Sequence, residues 1–184
     1  MICATSAAQA SCRQALALGR DGSASVDAAE FRLQRHGLAH ALLSPQVVAA
    51  FETLPSAPVS LMIYEWSGYT SQRVVLPWTT IRSRADLSRA AALLQDTTGP
   101  RSQTAPAIGG AALFAARQFD QVKHCWRKTL DLSGDGKNND GPTPLMLTND
   151  PRMKGVTING LVIATDTAAA STPRSGRQST VPLG

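Results

Sequence analysis

Blocks of apolar and polar residues alternate along the chain, and the first apolar block predicts a strand that ends in a loop. Residues 15–18 are an unbroken apolar run, and the polar cluster of residues 20–25 follows closely. A short apolar run bounded by polar residues is typical of a buried strand. Gly19 and Arg20 are expected to interrupt this strand, because glycine weakens a strand interior and a buried arginine needs a partner.

A helix is predicted directly after this loop. Ser25 is a good N-cap, and Phe31, Leu38 and Leu42 fall on one helical face. The helix should stop before Pro45, since the residue that precedes a proline avoids helical angles. Apolar spacing and end signals predict three more helices, over residues 47–54, 84–95 and 106–119.

Two β-rich runs, residues 59–68 and 72–81, are separated by a short polar turn and predict an antiparallel hairpin. Further strands are predicted over residues 126–135 and 155–165. Strands that alternate with helices imply a mainly parallel sheet with both faces covered. The expected fold is therefore α/β, a three-layer Rossmann-like sandwich with one antiparallel edge strand and helices on both faces.

Length and charge set the class of protein. The chain has 184 residues and 43% apolar content, which suits one domain with its own core. Its 18 basic and 13 acidic residues are scattered, so the net charge of +5 indicates a solvated surface and not a nucleic-acid groove. No apolar segment reaches the roughly 18 residues that a membrane span needs.

The cysteines suggest neither a disulfide framework nor a zinc site. There are three of them, an odd number, and no two have CxxC spacing; they are Cys3, Cys12 and Cys125. Cys125 is expected to be a buried thiol. Residues 8–10 form a small-x-small pattern, so residues 1–14 are interpreted as a remnant of an export signal that begins upstream. The chain would be exported or periplasmic if such a signal exists, and otherwise cytoplasmic.

Oxygen-bearing side chains follow the predicted strands. Asp21, Ser23 and Ser25 come after the first strand, Thr104 precedes a helix, and Asp135 follows the strand that begins at residue 126. The carboxyl ends of parallel strands meet at one edge of a sheet, so all five side chains could converge. An all-oxygen set suits a hard divalent cation such as Mg²⁺.

Parts of these motifs also match other kinds of site. Residues 131–141 match part of a calcium loop, but its twelfth position is Pro142, which supplies no ligand. Residues 21–25 could also be a plain loop and N-cap. His36 and His40 are spaced like zinc ligands but lack a third ligand, and His124 next to Cys125 would point to the opposite face of a strand.

The pattern Asp21-x-Ser23-x-Ser25, with Thr104 ahead of APAIGGA and Asp135 within SGDG, resembles the metal-ion-dependent adhesion site of von Willebrand factor type A domains. The strings SVDAAEF, EWSG, QRVVLPWT, SGDGKNNDG and VTINGL are most similar to a bacterial branch of that superfamily whose function is unknown. The likeness covers roughly residues 15–165.

The resemblance implies a role for each matching residue. Ser23, Ser25 and Thr104 would contact the cation, Mg²⁺ or Mn²⁺, and Asp21 and Asp135 would act directly or through water. An acidic residue of a protein partner would complete the coordination. This implies a binding module and not an enzyme; the alternatives are a metal-assisted hydrolase, in which the cation activates water, and a non-functional truncated fragment.

Both ends of the chain depart from the family pattern. The first strand contains Gly19 and Arg20, and after Thr165 the chain continues as a low-complexity sequence in place of a further helix and strand. Residues 166–184 are therefore predicted to be a disordered tail. The departures suggest a truncated or frame-shifted product.

Overall fold

A six-stranded sheet organises the chain in the computed structural model, which describes residues 11–23, 26, 28–96, 104–134, 137–163 and 179–180. The strands are β1 (Gln14–Asp21), β2 (Val59–Trp66), β3 (Gln72–Ile81), β4 (Lys128–Gly134), β5 (Val156–Val162) and β6 (Ser179–Thr180). Their spatial order is β3-β2-β1-β4-β5-β6, with β1, β2, β4 and β5 parallel. The strand order reverses at β1: β2 and β3 follow on one side of it, and β4, β5 and β6 on the other.

Four helices connect the strands, namely α1 (Ala28–Leu42), α2 (Pro45–Glu52), α3 (Arg84–Asp96) and α4 (Ile108–Gln118). Helix α2 begins two residues earlier than predicted, because Pro45 occupies its first turn and the Ser44 hydroxyl accepts a hydrogen bond from Val47 N at 3.4 Å. Helix α4 begins later than predicted, with Ala107 as its N-cap and Pro106 outside it.

Two apolar clusters cover the two faces of the sheet. One contains Ala15, Ala17 and alternate residues of β2 packed against α4. The other joins Val59, Leu61 and Ile63 of β2 to α1, α2 and α3. Successive side chains of a strand point to opposite faces, so the buried run of β2 supplies both clusters. The predicted α/β sandwich with helices on both faces is confirmed.

Strand β1 does not stop at Gly19 and Arg20, so the expected interruption is wrong. A Cβ atom on Gly19 would lie 2.6 Å from Tyr64 and Leu132, so glycine is what allows the neighbouring side chains to approach. The buried Arg20 side chain forms an ion pair with Glu65, its register partner on β2. Its guanidinium also lies 4.3 Å from the centre of the Phe31 ring. Burial lowers the pKa of Arg20, and the Glu65 charge opposes that shift.

A disulfide joins Cys12 to Cys125, contrary to the expected thiol. The two Cα atoms are 4.5 Å apart, and Trp126 N donates a hydrogen bond to Cys12 O at 2.9 Å. The residues are 113 positions apart in sequence, so only the pairing of β1 with β4 brings them together. Cysteine spacing alone could not reveal such a pair.

The ends of the chain are described only in part. Ser179 and Thr180 pair with Gly160 and Asn159 in antiparallel fashion, a short strand that the sequence did not predict. Residues 1–10 of the proposed export remnant and the rest of the predicted tail lie outside the described residues. Within the described part, no helix has the length and apolar character to cross a membrane.

Replacing Glu65 with Gln should lower the free energy of unfolding by roughly 3 kcal/mol, because the buried Arg20 charge would lose its counter-ion. The double variant Arg20→Met/Glu65→Leu should recover most of that loss, since it removes both charges. Asp120→Asn, in the exposed pair with Lys123, should cost less than about 1 kcal/mol. Urea unfolding measures all three, and equal losses for Glu65→Gln and Asp120→Asn would contradict the role of the buried pair.

The double variant Cys12→Ser/Cys125→Ser should have a free energy of unfolding about 2–5 kcal/mol lower than that of the oxidised wild type. The reason is that the cross-link closes a long loop in the unfolded chain. Wild type treated with a reductant should match the double variant in denaturant unfolding. A variant as stable as the oxidised wild type would show that the disulfide contributes nothing.

Candidate metal centre

The loop after β1 is built around a buried carboxylate. Asp21 is fully buried, and its Oδ1 accepts a hydrogen bond from Ser23 N at 2.8 Å. Such a bond from an aspartate to the backbone two residues on stabilises a tight turn. Gly22 N donates to Trp66 O at 2.8 Å, which ties the turn to the end of β2. The Ser23 side chain is consequently held in the interior, with 2% of the residue exposed.

Thr104 lies over the end of β2, the strand next to β1. Its Oγ1 accepts a hydrogen bond from Gly68 N at 2.9 Å. A Cβ atom on Gly68 would fall 3.0 Å from the Thr104 Cβ, so a larger residue would press on the threonine. Ala107 N donates to Ser67 O at 2.9 Å and holds the segment before α4 against the same strand end.

The end of β4 lies against the Asp21 carboxylate. A Cβ atom on Gly134 would be 2.9 Å from Asp21 Oδ2 and 3.2 Å from Trp66 Cζ2. Glycine therefore leaves room for the carboxylate at the position directly before Asp135. Ile163 N donates to Gly134 O at 2.9 Å, so β5 supports this strand end.

Three of the five predicted ligands lie at the carboxyl ends of the strands: Asp21 is the last residue of β1, Ser23 follows it, and Thr104 lies beside the end of β2. Ser25 and Asp135 lie outside the described residues, and their role stays a prediction. The sequence predicted a loop at residues 20–25 but not the burial of the Asp21 carboxylate. The role of Gly134 was missed because nothing in SGDG shows which glycine faces a carboxylate.

The turn after β4 has a structural task. Asn138 Oδ1 accepts from Gly109 N at 3.1 Å, and Asp140 Oδ2 accepts from Tyr69 N at 2.7 Å. A Cβ atom on Gly109 would lie 1.9 Å from Pro142 O, so the turn packs directly on the start of α4. These contacts join the β2–β3 turn to α4 and fix the strand ends on which the site is built.

The calcium-loop interpretation finds no support in Asp131. Its Oδ1 accepts a hydrogen bond from Asn159 Nδ2 at 2.7 Å, on the neighbouring strand β5. Burial raises the pKa of Asp131, and the Asn159 bond partly offsets this. Asp131 therefore serves sheet pairing.

The histidine and cysteine candidates do not form a second site. His36 and His40 are exposed on α1. Ligand atoms of Cys12, His124 and Cys125 lie within 4.8 Å of one another, the spacing of a metal cluster. The two sulfur atoms are bonded to each other, however, so Cys125 is neither a free thiol nor a nucleophile.

The donors at the sheet edge fit a hard divalent cation. A carboxylate and two hydroxyls are oxygen ligands of the kind that Mg²⁺ and Mn²⁺ accept. These donors also lie where open parallel sheets bind ligands. Such sites are outside the carboxyl ends of the strands, at the point where the strand order reverses. Mg²⁺ takes about six oxygens, so an ion at this position would need further ligands from other residues, water or a partner.

The order and direction of the strands are those of a von Willebrand factor type A-like fold. Proximal thread matrix protein 1 from the mussel byssus superposes with a TM-score of 0.61 at 16% identity, covering 83% of this chain and 38% of the mussel chain. The chain thus spans about two fifths of that protein. Another structure of the mussel protein has a zinc-occupied metal-ion-dependent adhesion site, at a TM-score of 0.62.

Two bacterial structures show the same fold. A von Willebrand factor type A protein from Catenulispora acidiphila has a TM-score of 0.51 and 19% identity, covering 81% of this chain and 33% of that one. The conserved hypothetical protein BatB from Bacteroides thetaiotaomicron has a TM-score of 0.55 and 17% identity, covering 92% and 80%. At such identities the likeness shows the fold alone.

The chain belongs to the family described as a protein of unknown function, DUF1194, whose model matches residues 11–178. This confirms the resemblance to a type A-like branch of unknown function. No curated protein matches the chain in sequence.

Replacing Gly134 with Ala should cost about 1–3 kcal/mol of stability, because the added methyl group would overlap Asp21 and Trp66. Gly160→Ala, on the adjacent strand β5, is the matched control, since nothing lies within 4 Å of a Cβ atom there. Thermal unfolding of both variants tests the close approach. Equal melting temperatures would show that the strand end does not confine the Asp21 carboxylate.

Proposed function

We propose that this domain is a metal-ion-dependent protein-binding module. The observation that carries the proposal is the buried Asp21–Ser23 turn at the carboxyl end of β1, packed against Gly134 at the end of β4. The turn holds a carboxylate and a hydroxyl close together, and both are oxygen ligands of the kind that a hard divalent cation binds. A position at the reversal point of the sheet favours ligand binding there.

The cation proposed for the site is Mg²⁺ or Mn²⁺. Ser23, Ser25 and Thr104 would contact it, and Asp21 and Asp135 would act directly or through water. The mussel protein has zinc at its metal-ion-dependent adhesion site, which supports a divalent ion at this place in the fold. Oxygen donors without cysteine or histidine favour the harder ions for this chain.

Binding and not turnover is proposed as the activity. A hydrolase that uses a cation to activate water also needs a positioned base. His36 and His40 are exposed on α1, and His124 precedes β4, at the opposite end of that strand from Gly134. The proposed partner is a protein that presents an acidic residue, whose carboxylate completes the coordination of the cation.

An oxidising compartment is proposed for the domain. Disulfides persist in the periplasm and outside the cell and are rare in the cytosol. The Cys12–Cys125 bond therefore supports export, in keeping with the small-x-small pattern of residues 8–10.

Isothermal titration with Mn²⁺ and with Mg²⁺ tests the metal site. Wild type should bind one ion, and Asp21→Ala and Ser23→Ala should each weaken binding by at least about tenfold, since each removes an oxygen ligand. Ser60→Ala is the matched control, because Ser60 is also buried but pairs with Ala15 at the start of β1. Equal heats for wild type and both site variants would refute the proposal.

A further inference from the structure

A small cavity lies beside the candidate metal loop. Its volume is about 320 Å³, and its lining includes Gly22, Glu65, Trp66, Ser71 and Arg73. Gly22 lies between Asp21 and Ser23, so the cavity borders the turn proposed to hold the cation. The first residues of β3 form the other side. Whatever occupies the cavity would contact the metal loop and Arg73 together.

Arg73 brings a surplus positive charge to this cavity. Glu65 accepts from two guanidinium groups, those of Arg20 and Arg73, the second at 2.5 Å. Within the described residues, one carboxylate thus balances two cations. The Arg20 side chain is 3% exposed and the Arg73 side chain is 43% exposed. The charge that Glu65 cannot balance is therefore available to a ligand at Arg73.

The rest of the lining is polar and held in place. Gln72 Nε2 donates to Gly68 O at 3.0 Å and to Tyr69 O at 2.9 Å, which closes the turn between β2 and β3. Ser67 N donates to Ser71 O at 3.0 Å across the same turn. Thr70 and Ser71, also in the lining, add hydroxyl groups that can donate hydrogen bonds to an anion.

We propose that the cavity binds a second acidic side chain of the partner, next to the one that completes the cation's coordination. The inference rests on the proposed function and makes it more specific: the partner segment carries two carboxylates, one for the ion and one for Arg73. Arginine suits this task because its planar guanidinium group can donate two parallel hydrogen bonds to one carboxylate. A cavity of about 320 Å³ has room for a carboxylate side chain and is too small for a helix.

Peptides with two aspartates provide the test. The probes are acetylated, amidated peptides in which one to four glycines separate two Asp residues, together with counterparts in which the second Asp is Asn. Binding is measured by NMR titration in saturating Mg²⁺, after Mn²⁺ titration has established the metal site. At the best spacing, the doubly acidic peptide should bind about tenfold more tightly than its counterpart, the effect of one charge-assisted contact.

Variants assign this preference to the cavity. Arg73→Gln should remove the tenfold preference while leaving Mn²⁺ affinity and binding of the singly acidic peptide unchanged. Arg73→Lys should retain part of the preference, since the positive charge remains but the bidentate guanidinium group is lost. Arg89→Gln is the control, because Arg89 is another exposed arginine in an ion pair, with Asp86 on α3; it should keep the full preference.

The outcomes separate the two proposals. If Mn²⁺ does not bind, the metal-dependent function is refuted and the second-carboxylate inference is refuted with it. If Mn²⁺ binds but the two peptides of each pair have equal affinity, only the inference is overturned. Persistence of the preference in Arg73→Gln would likewise overturn it.

Discussion

The buried ion pair between Arg20 and Glu65 is the interaction on which the site depends. A charge in the interior is tolerated only with a counter-ion, and here the counter-ion is the register partner on the adjacent strand. Sliding β1 by one residue against β2 would turn Arg20 towards the opposite face of the sheet and leave its buried charge without a counter-ion. The pair therefore selects one register, and that register sets Asp21 beside Trp66.

The strand ends around the site are held by bonds that the proposed ligands do not make. Gly22 N binds Trp66 O, Ala107 N binds Ser67 O, and Ile163 N binds Gly134 O. Backbone hydrogen bonds thus join the end of β1 to the end of β2, and the end of β4 to the residue after β5, independently of the proposed ligands. A site whose framework is already ordered loses little conformational entropy when it binds a ligand.

The sequence was sufficient for the layers and for the edge where the candidate ligands gather. Alternation of apolar runs with helical spacing predicts the sandwich, and the carboxyl ends of parallel strands must share an edge. The sequence was insufficient to predict the role of a residue whose structural partner lies far away along the chain. Arg20 seemed to break a strand because Glu65 lies 45 residues away, and Cys12 seemed unpaired because Cys125 approaches it only through β1 and β4. Gly134 belongs to the same group, since its importance comes from a carboxylate on another strand.

The covalent bond between Cys12 and Cys125 also changes what a protease can do to this domain. The bond encloses the whole of β1, β2 and β3 and all four α-helices in one ring of chain. A single backbone cut anywhere between the two cysteines would open that ring without releasing a fragment. The nicked domain would remain one molecule, with the pieces that carry Asp21 and Gly134 still joined, until a reductant separated them.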